Sequence, residues 1–108
     1  MSNSSTSPGP QPFRIYVDTT RRETDYCVIL AEGGIEWGDG EWRPVLQRIW
    51  VKGDKEECIR ACYYTGGHFI PKPMELTPEL WPYVLAGALR ADVITAEDLQ
   101  SAIALSGV

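Results

Sequence analysis

The chain has 108 residues, enough for one hydrophobic core and too few for two independent domains. Hydrophobic residues make up 44% of the sequence and charged residues 23%, a composition that excludes an intrinsically disordered protein. Fifteen acidic and ten basic side chains give a formal net charge of −5, which excludes a nucleic-acid-binding surface built on clustered Lys and Arg.

The N-terminal segment, residues 1–12, consists almost entirely of Ser, Pro, Gly and other polar residues. This composition predicts a disordered tail. The segment lacks the charged and apolar regions of a secretory signal. We therefore expect a single folded domain over residues 13–108.

Three strands are predicted between residues 13 and 51. Apolar and polar residues alternate from Phe13 to Asp18, as in a half-buried strand. The apolar run Tyr26–Ala31 favours a central strand that is covered on both faces. Gly33 and Gly34 are expected to interrupt this run or to form a bulge. The Gly-Asp-Gly sequence at 38–40 predicts a tight hairpin that leads into a third strand over 43–51.

A first helix is predicted over residues 55–65. Asp54 is a favourable N-cap, Glu57 occupies the capping-box position three residues later, and the diglycine at 66–67 is typical of a helix end. Cys58 and Cys62 then lie one turn apart on the face expected to be buried. Residues 68–76 are predicted to form an extended connector.

Two further helices are predicted near the C-terminus. Thr77-Pro78 is a helix-start signal, although Pro82 can delay the regular helix to that residue. Thr95 is the second start signal, and Gly107 marks the end of that helix. We expect the last helix to bury its apolar residues Leu99, Ala102 and Ile103.

The C-terminal helices carry a recurrent spacing of apolar and capping residues. The pattern consists of Leu85, Leu89, Ile94, Thr95, Glu97, Leu99, Ala102 and Ile103. It resembles the small helical hairpins in the N-terminal domains of secretion and pilus assembly ATPases. The glycine and arginine of that family's nucleotide-contacting hairpins have no counterparts here. The resemblance therefore implies a helical hairpin, with no activity and no site residue.

Cysteine and histidine residues raise the alternative of a zinc site. Cys27, Cys58, Cys62 and His68 would form a Cys₃His ligand set. The Cys-x₃-Cys spacing inside a predicted helix instead favours cysteines packed as small apolar residues. Because three cysteines cannot form a complete set of disulfides, they also indicate a reducing, cytoplasmic location. We predict no metal and no cofactor, with the small-ligand or zinc-binding domain as the alternative.

The sequence shows no combination of residues typical of an enzyme. A nucleophilic Cys58 with His68 as its base is disfavoured, because two glutamates precede the cysteine and oppose formation of a thiolate. None of the diglycine or Gly-Asp-Gly sequences is followed by the Lys and Ser/Thr of a phosphate-binding loop. We therefore predict a non-catalytic protein.

Aromatic residues are the most unusual feature of the composition, with four Trp and five Tyr. Trp50 and Trp81 are assigned to the core. Two tryptophans flank the predicted hairpin turn, where burial is difficult, and acidic residues lie beside them. The predicted partner-binding residues are Glu36, Trp37, Asp39, Glu41 and Trp42.

The sequence as a whole predicts an α+β fold, in which a three-stranded antiparallel β-meander is followed by three α-helices packed on one face. The predicted function is a non-catalytic protein–protein interaction module, of the kind found among small bacterial or phage accessory, inhibitor or immunity proteins. The expected partner is a protein with a basic surface. Nucleic acid and membranes are not expected partners, since no apolar run approaches the roughly 20 residues of a membrane span. Formation of a homo-oligomer is left open.

Overall fold

The computed structural model describes residues 12–108, so the predicted tail lies outside the described residues except for Pro12. Within that range the chain forms six strands and two α-helices. They are β1 (Phe13–Asp18), β2 (Arg22–Glu23), β3 (Cys27–Trp37), β4 (Trp42–Val51), β5 (Glu56–Thr65), β6 (His68–Ile70), a 3₁₀ turn (Pro78–Leu80), α1 (Trp81–Arg90) and α2 (Ala96–Ser106).

All strands belong to one antiparallel sheet with the order β1, β3, β4, β5, β6, and β2 pairs with β3 beyond the end of β1. The predicted hairpin at 38–40 is confirmed, since Trp37 pairs with Trp42 and both turn glycines have positive φ. Gly33 and Gly34 do not break β3. The irregularity in its pairing with β4 falls between Ile29 and Ala31 instead.

The predicted fold class is wrong: the sheet has six strands rather than three, and there are two helices rather than three. The segment 55–65 is predicted as a helix, but its residues Glu56–Thr65 form strand β5. This strand pairs with β4 along its whole length, with Glu56 opposite Val51 and Thr65 opposite Trp42. Asp54 lies in the turn before this strand instead of capping a helix, and Lys55 has a φ of 54°. Successive residues of β5 point to opposite faces of the sheet, and both faces carry some apolar residues. Over a segment of this length, the same apolar residues also fit the spacing of an amphipathic helix.

Helix α1 packs on one face of the sheet and covers β3 most closely. Gly87 of α1 lies directly over Gly33 and Gly34, and a Cβ atom at Gly87 would clash with the backbone of Gly34. The absence of side chains at this crossing lets the helix approach β3 by backbone contact. The buried residues of this layer are Ala31, Ile35, Val84, Ala88, Ala91 and Val93.

The opposite face of the sheet is concave and has no helix over it. Side chains on strands that are not neighbours contact each other there: the Arg43 guanidinium on β4 lies 4.3 Å from the ring centroid of Tyr16 on β1. Curvature of this kind buries side chains without a second layer. The apolar residues beneath this face form two groups, one with Cys27, Ile29, Ile49 and Val51 and the other with Val45, Cys62 and Tyr64.

Helix α2 begins and ends where the sequence predicts. Thr95 accepts a hydrogen bond from the backbone N–H of Asp98, the Asp98 carboxylate accepts one from the N–H of Thr95, and Gly107 ends the helix with left-handed φ. The predicted burial of its apolar stripe is wrong, because no residue of α2 is buried. Neither of the two α-helices found in residues 12–108 is long and apolar enough to cross a membrane.

Candidate functional site

The hairpin tip joins four aromatic side chains on the helical face of the sheet. The ring centroids of Trp37 and Trp42 lie 5.4 Å apart, and Phe13 lies 4.7 Å from Trp37 and 5.0 Å from Tyr83 of α1. Both tryptophans are half-buried. They therefore hold β1, β3, β4 and α1 together and still present one edge to solvent.

The acidic residues of the predicted partner site are divided between solvent and the concave face. Asp39 and Glu41 are exposed in the turn. Glu36 points to the face opposite Trp37, has only 4% of its side chain exposed, and pairs with both Arg14 and Arg43. A shallow cleft of about 360 Å³ connects the three acids. Of the predicted partner-binding residues, the two tryptophans thus contact each other, whereas Glu36 lies on the opposite face of the sheet.

The ionisation of Glu36 is controlled by these two arginines. Burial by itself opposes the charged form, but the hydrogen bonds from Arg43 and Arg14 outweigh it and hold the pKa of Glu36 below its usual value. Glu36 is therefore an anion at neutral pH, and its oxygens accept bonds from within the chain.

A second carboxylate, Glu32, lies fully buried at the centre of the concave face. Its Oε1 accepts hydrogen bonds from Nε2 of Gln47 at 2.7 Å and from the hydroxyl of Tyr64 at 3.0 Å. Its Oε2 accepts one from the hydroxyl of Tyr16 at 3.0 Å, and Nη2 of Arg22 lies 2.7 Å from Oε1 as an ion pair. Sequence reasoning missed this residue, although an acid that directly follows the apolar run Tyr26–Ala31 is a visible signal.

The groups around Glu32 keep their protons. Burial and the nearby Glu32 charge raise the pKa of Tyr64 to about 12, and burial is also the main cause of the raised pKa of Tyr16. Both phenols therefore remain neutral donors to Glu32 at physiological pH. Because four side chains surround the carboxylate and none of it is exposed, Glu32 is suited to holding the strands together rather than to acting as a base on an external substrate.

The cysteines and the histidine do not converge. Cys58 and Cys62 lie on the concave face of β5, whereas His68 pairs with Thr65 and lies on the other face. Cys27 is fully buried, and burial raises the pKa of the Cys62 thiol to about 12. Within residues 12–108 no group of three or more His, Cys, Asp or Glu side chains is arranged to hold a metal ion.

Helix α2 and the sheet beside it carry uncovered apolar residues. Ile103 of α2 has 60% of its surface exposed. On the helical face of the sheet, beyond the region that α1 covers, Trp50 is 39% exposed and Ile59 is 46% exposed. Trp50 was assigned to the core from the sequence, so this assignment is wrong. We call Val28, Trp50 and Ile59 the open patch.

No protein-family model, curated protein or solved structure matches this chain.

Proposed function

We propose that the protein is a non-catalytic protein-interaction module that forms a homodimer through α2 and offers its acidic hairpin tip to a protein partner with basic groups. The observation that carries this proposal is the exposure of α2, a helix with a complete capping box and no buried residue. Isolated helices of fewer than roughly 12–15 residues are marginal in water. The 11 residues of α2 therefore need a surface on which to pack.

Within residues 12–108, no residue on the apolar stripe of α2 is buried by another part of the chain. Leu99, Ala102 and Ile103 recur at helical spacing and share one side of the helix. Residues 1–12 contain almost no apolar side chain that could fill this role. The occupant we infer is a second copy of the chain.

A second copy supplies the complementary surface. The open patch is an apolar area of the sheet that no helix covers, on the same face from which α2 extends. Each chain therefore has one helix that packs on no sheet and one apolar area of sheet on which no helix packs. A two-fold axis would place each α2 on the other chain's open patch, as an isologous interface requires. A helix of this length is about 16 Å long and 10 Å wide. With a footprint of that size, two such contacts would bury roughly 640 Å² counted on both chains, an area in the range of weak, transient interfaces.

Arg48 supports the same arrangement through charge. Its guanidinium donates to the carbonyl oxygen of Val93, at the start of the turn into α2, and lies 3.4 Å from Glu57. Helix α2 carries Glu97 and Asp98 in its first turn and has no basic residue. In the dimer, the acidic end of one helix would lie beside the Arg48 side of the other chain's patch.

The cysteines and the Glu32 cluster are consistent with a non-catalytic, cytoplasmic protein. Cys27, Cys58 and Cys62 are free thiols, as expected in a reducing compartment. Glu32 is engaged by four side chains of its own chain.

The dimer is tested by measuring the mass in solution by sedimentation equilibrium over a range of micromolar concentrations. We expect twice the chain mass of 12.1 kDa for the unaltered protein. Ile103→Asp and Ile59→Lys should each give a monomer, because each places a charge in the proposed interface. Both residues are exposed in the single chain, so thermal unfolding of the diluted variants should show an intact fold.

Ser101→Asp is the matched control. Ser101 is exposed and lies on the side of α2 opposite Leu99 and Ile103, so the same charge there should leave the dimer intact. A monomeric unaltered protein would overturn the proposal, as would a dimer that persists in both interface variants. Recovery of α2 bound to a different protein while the isolated chain stays monomeric would also overturn it.

A further inference from the structure

We infer that the concave face contains a binding site for a small amphipathic carboxylate, a molecule with one carboxylate group and an apolar body. This inference rests on a different surface from the proposed dimer. The site is a pocket of about 550 Å³, within the roughly 300–1,000 Å³ typical of small-molecule sites. It is lined by Arg22, Glu23, Thr24, Tyr26, Ile29, Arg60, Tyr64 and Phe69.

The curvature of the sheet forms this pocket. Residues of β2 stand on one side and residues of β5 and β6 on the other, although β3 and β4 lie between them in the sheet. Ile29 at the base is buried, whereas Phe69 at the rim is 40% exposed. The ring centroids of Tyr64 and Phe69 lie 5.8 Å apart in an edge-to-face arrangement. The walls therefore offer aromatic and aliphatic surface to an apolar ligand body.

Arg60 supplies the polar end of the site. Its Nε donates to Oε1 of Gln47 at 2.7 Å, and its guanidinium carbon lies 5.0 Å from the ring centroid of Phe69. These two contacts fix the plane of the guanidinium. No carboxylate lies within 4 Å of Arg60 among residues 12–108. An oriented arginine without an anionic partner, beside an apolar pocket, is suited to a carboxylate.

The charges around the pocket favour a monoanion. The Arg22 guanidinium already faces the buried Glu32, and Glu23 is bound to Lys52 at 2.6 Å. Of these charged groups, Arg60 is the one without an oppositely charged partner. One carboxylate would neutralise its positive charge, whereas a doubly charged phosphate would retain one negative charge without a partner. Gln47 is fully buried and also donates to Tyr64 at 2.9 Å, so it couples Arg60 to the rigid Glu32 cluster. The site is therefore held in place before a ligand enters.

The experiment measures binding of octanoate and 4-phenylbutyrate, and of the corresponding neutral amides, by calorimetry and by chemical-shift changes in NMR spectra. We expect at least one acid to bind, with shifts at Ile29, Tyr64 and Phe69. The matching amide should bind about tenfold more weakly or worse, because it cannot form a charge-assisted bond with Arg60. This comparison uses the unaltered protein and does not depend on the folding of a variant.

Two variants test whether Arg60 binds the carboxylate group of the ligand. Arg60→Gln should reduce acid binding to the level of the amide, and Arg90→Gln, an exposed arginine on α1, should leave it unchanged. Failure of both acids to bind would overturn the inference. Equal binding of acid and amide would do the same, as would unchanged acid binding by Arg60→Gln or shifts confined to the other face of the sheet.

Discussion

At the scale of single residues, buried carboxylates determine the character of the concave face. Glu32 and Glu36 are both almost completely buried, and each is bound by side chains from other strands. The bonds to Glu32 reach residues up to 32 positions away in the sequence. A buried charge is tolerated only when its bonds are complete, so these acids impose the register of the strands around them.

Glu36→Gln should destabilise the protein at neutral pH and much less in acid. The variant leaves Arg43, which is 21% exposed, without its carboxylate, and we expect a loss of about 1–3 kcal/mol in the free energy of unfolding at pH 7. Arg43 and Arg14 lower the pKa of Glu36 despite the opposing effect of burial. The carboxylate therefore stabilises the fold fully above the usual pKa of 4.5, and this contribution is lost as the pH falls through the lower folded pKa.

Urea unfolding of both proteins at pH 7 and at about pH 3 measures this difference. The gap between them should narrow at the lower pH. Glu75→Gln, in an exposed position of the connector, is the control and should match the unaltered protein at both pH values. A gap of equal size at both pH values would show that the charge of Glu36 is not what stabilises the hairpin.

At the scale of elements, the crossing of α1 over β3 depends on glycine. Gly87→Ala should lower the free energy of unfolding by about 1–3 kcal/mol, because the added Cβ would meet the backbone of Gly34, which cannot move aside as a side chain can. Gly53→Ala is the matched control, since a Cβ there meets nothing within 4 Å and its φ is not positive. Its stability should change by less than about 0.5 kcal/mol. Chemical denaturation measures both, and equal effects would contradict the backbone contact.

The two ends of the long β3–β4 hairpin have different roles in this arrangement. At the turn, Phe13, Trp37, Trp42 and Tyr83 close the end of the helical layer. The other end of the hairpin lies beyond the area that α1 covers, and Trp50 is exposed to solvent there. The proposed dimer interface at this open end would leave the turn free, so that the proposed dimer could still bind a partner at the hairpin tip.

At the scale of the whole molecule, charge and shape indicate how a partner would approach. A net charge of −5 would attract a basic protein over long range, and Asp39 and Glu41 are exposed at the hairpin tip that we propose as the contact surface. The radius of gyration is 15.1 Å, compared with about 13 Å for a compact domain of this length, in agreement with an α2 that projects from the sheet.

The double change Asp39→Lys with Glu41→Lys should abolish capture of a basic protein partner from the source cells. Both residues are exposed in the turn, so the thermal unfolding midpoint should remain nearly unchanged. Glu75→Lys with Glu79→Lys makes the same change in net charge at a different surface and should retain the partner. Capture should also weaken as salt is raised. A partner kept by the tip variant and lost by the control would place the contact surface away from the hairpin.

The sequence alone determined those features that depend on a few neighbouring residues. The turn at 38–40 requires positive φ at its glycines, and Thr95 and Gly107 set the ends of α2 through bonds within one helical turn. The first strand was also predicted correctly, because its alternation is clear. The aromatic hairpin was located as well, since its turn and its tryptophans adjoin in the sequence.

Tertiary structure alone decided the identity of β5 and the exposure of α2. Residues 56–65 fit both a helical and a strand pattern, and only pairing with β4 supplies the hydrogen bonds that favour the strand. The stripe of α2 has the spacing of a buried helix, but burial depends on whether a surface lies opposite it. The Glu32 cluster and the pocket beside Arg60 also depend on tertiary structure alone, because each is built from residues of separate strands that only the curvature of the sheet brings together.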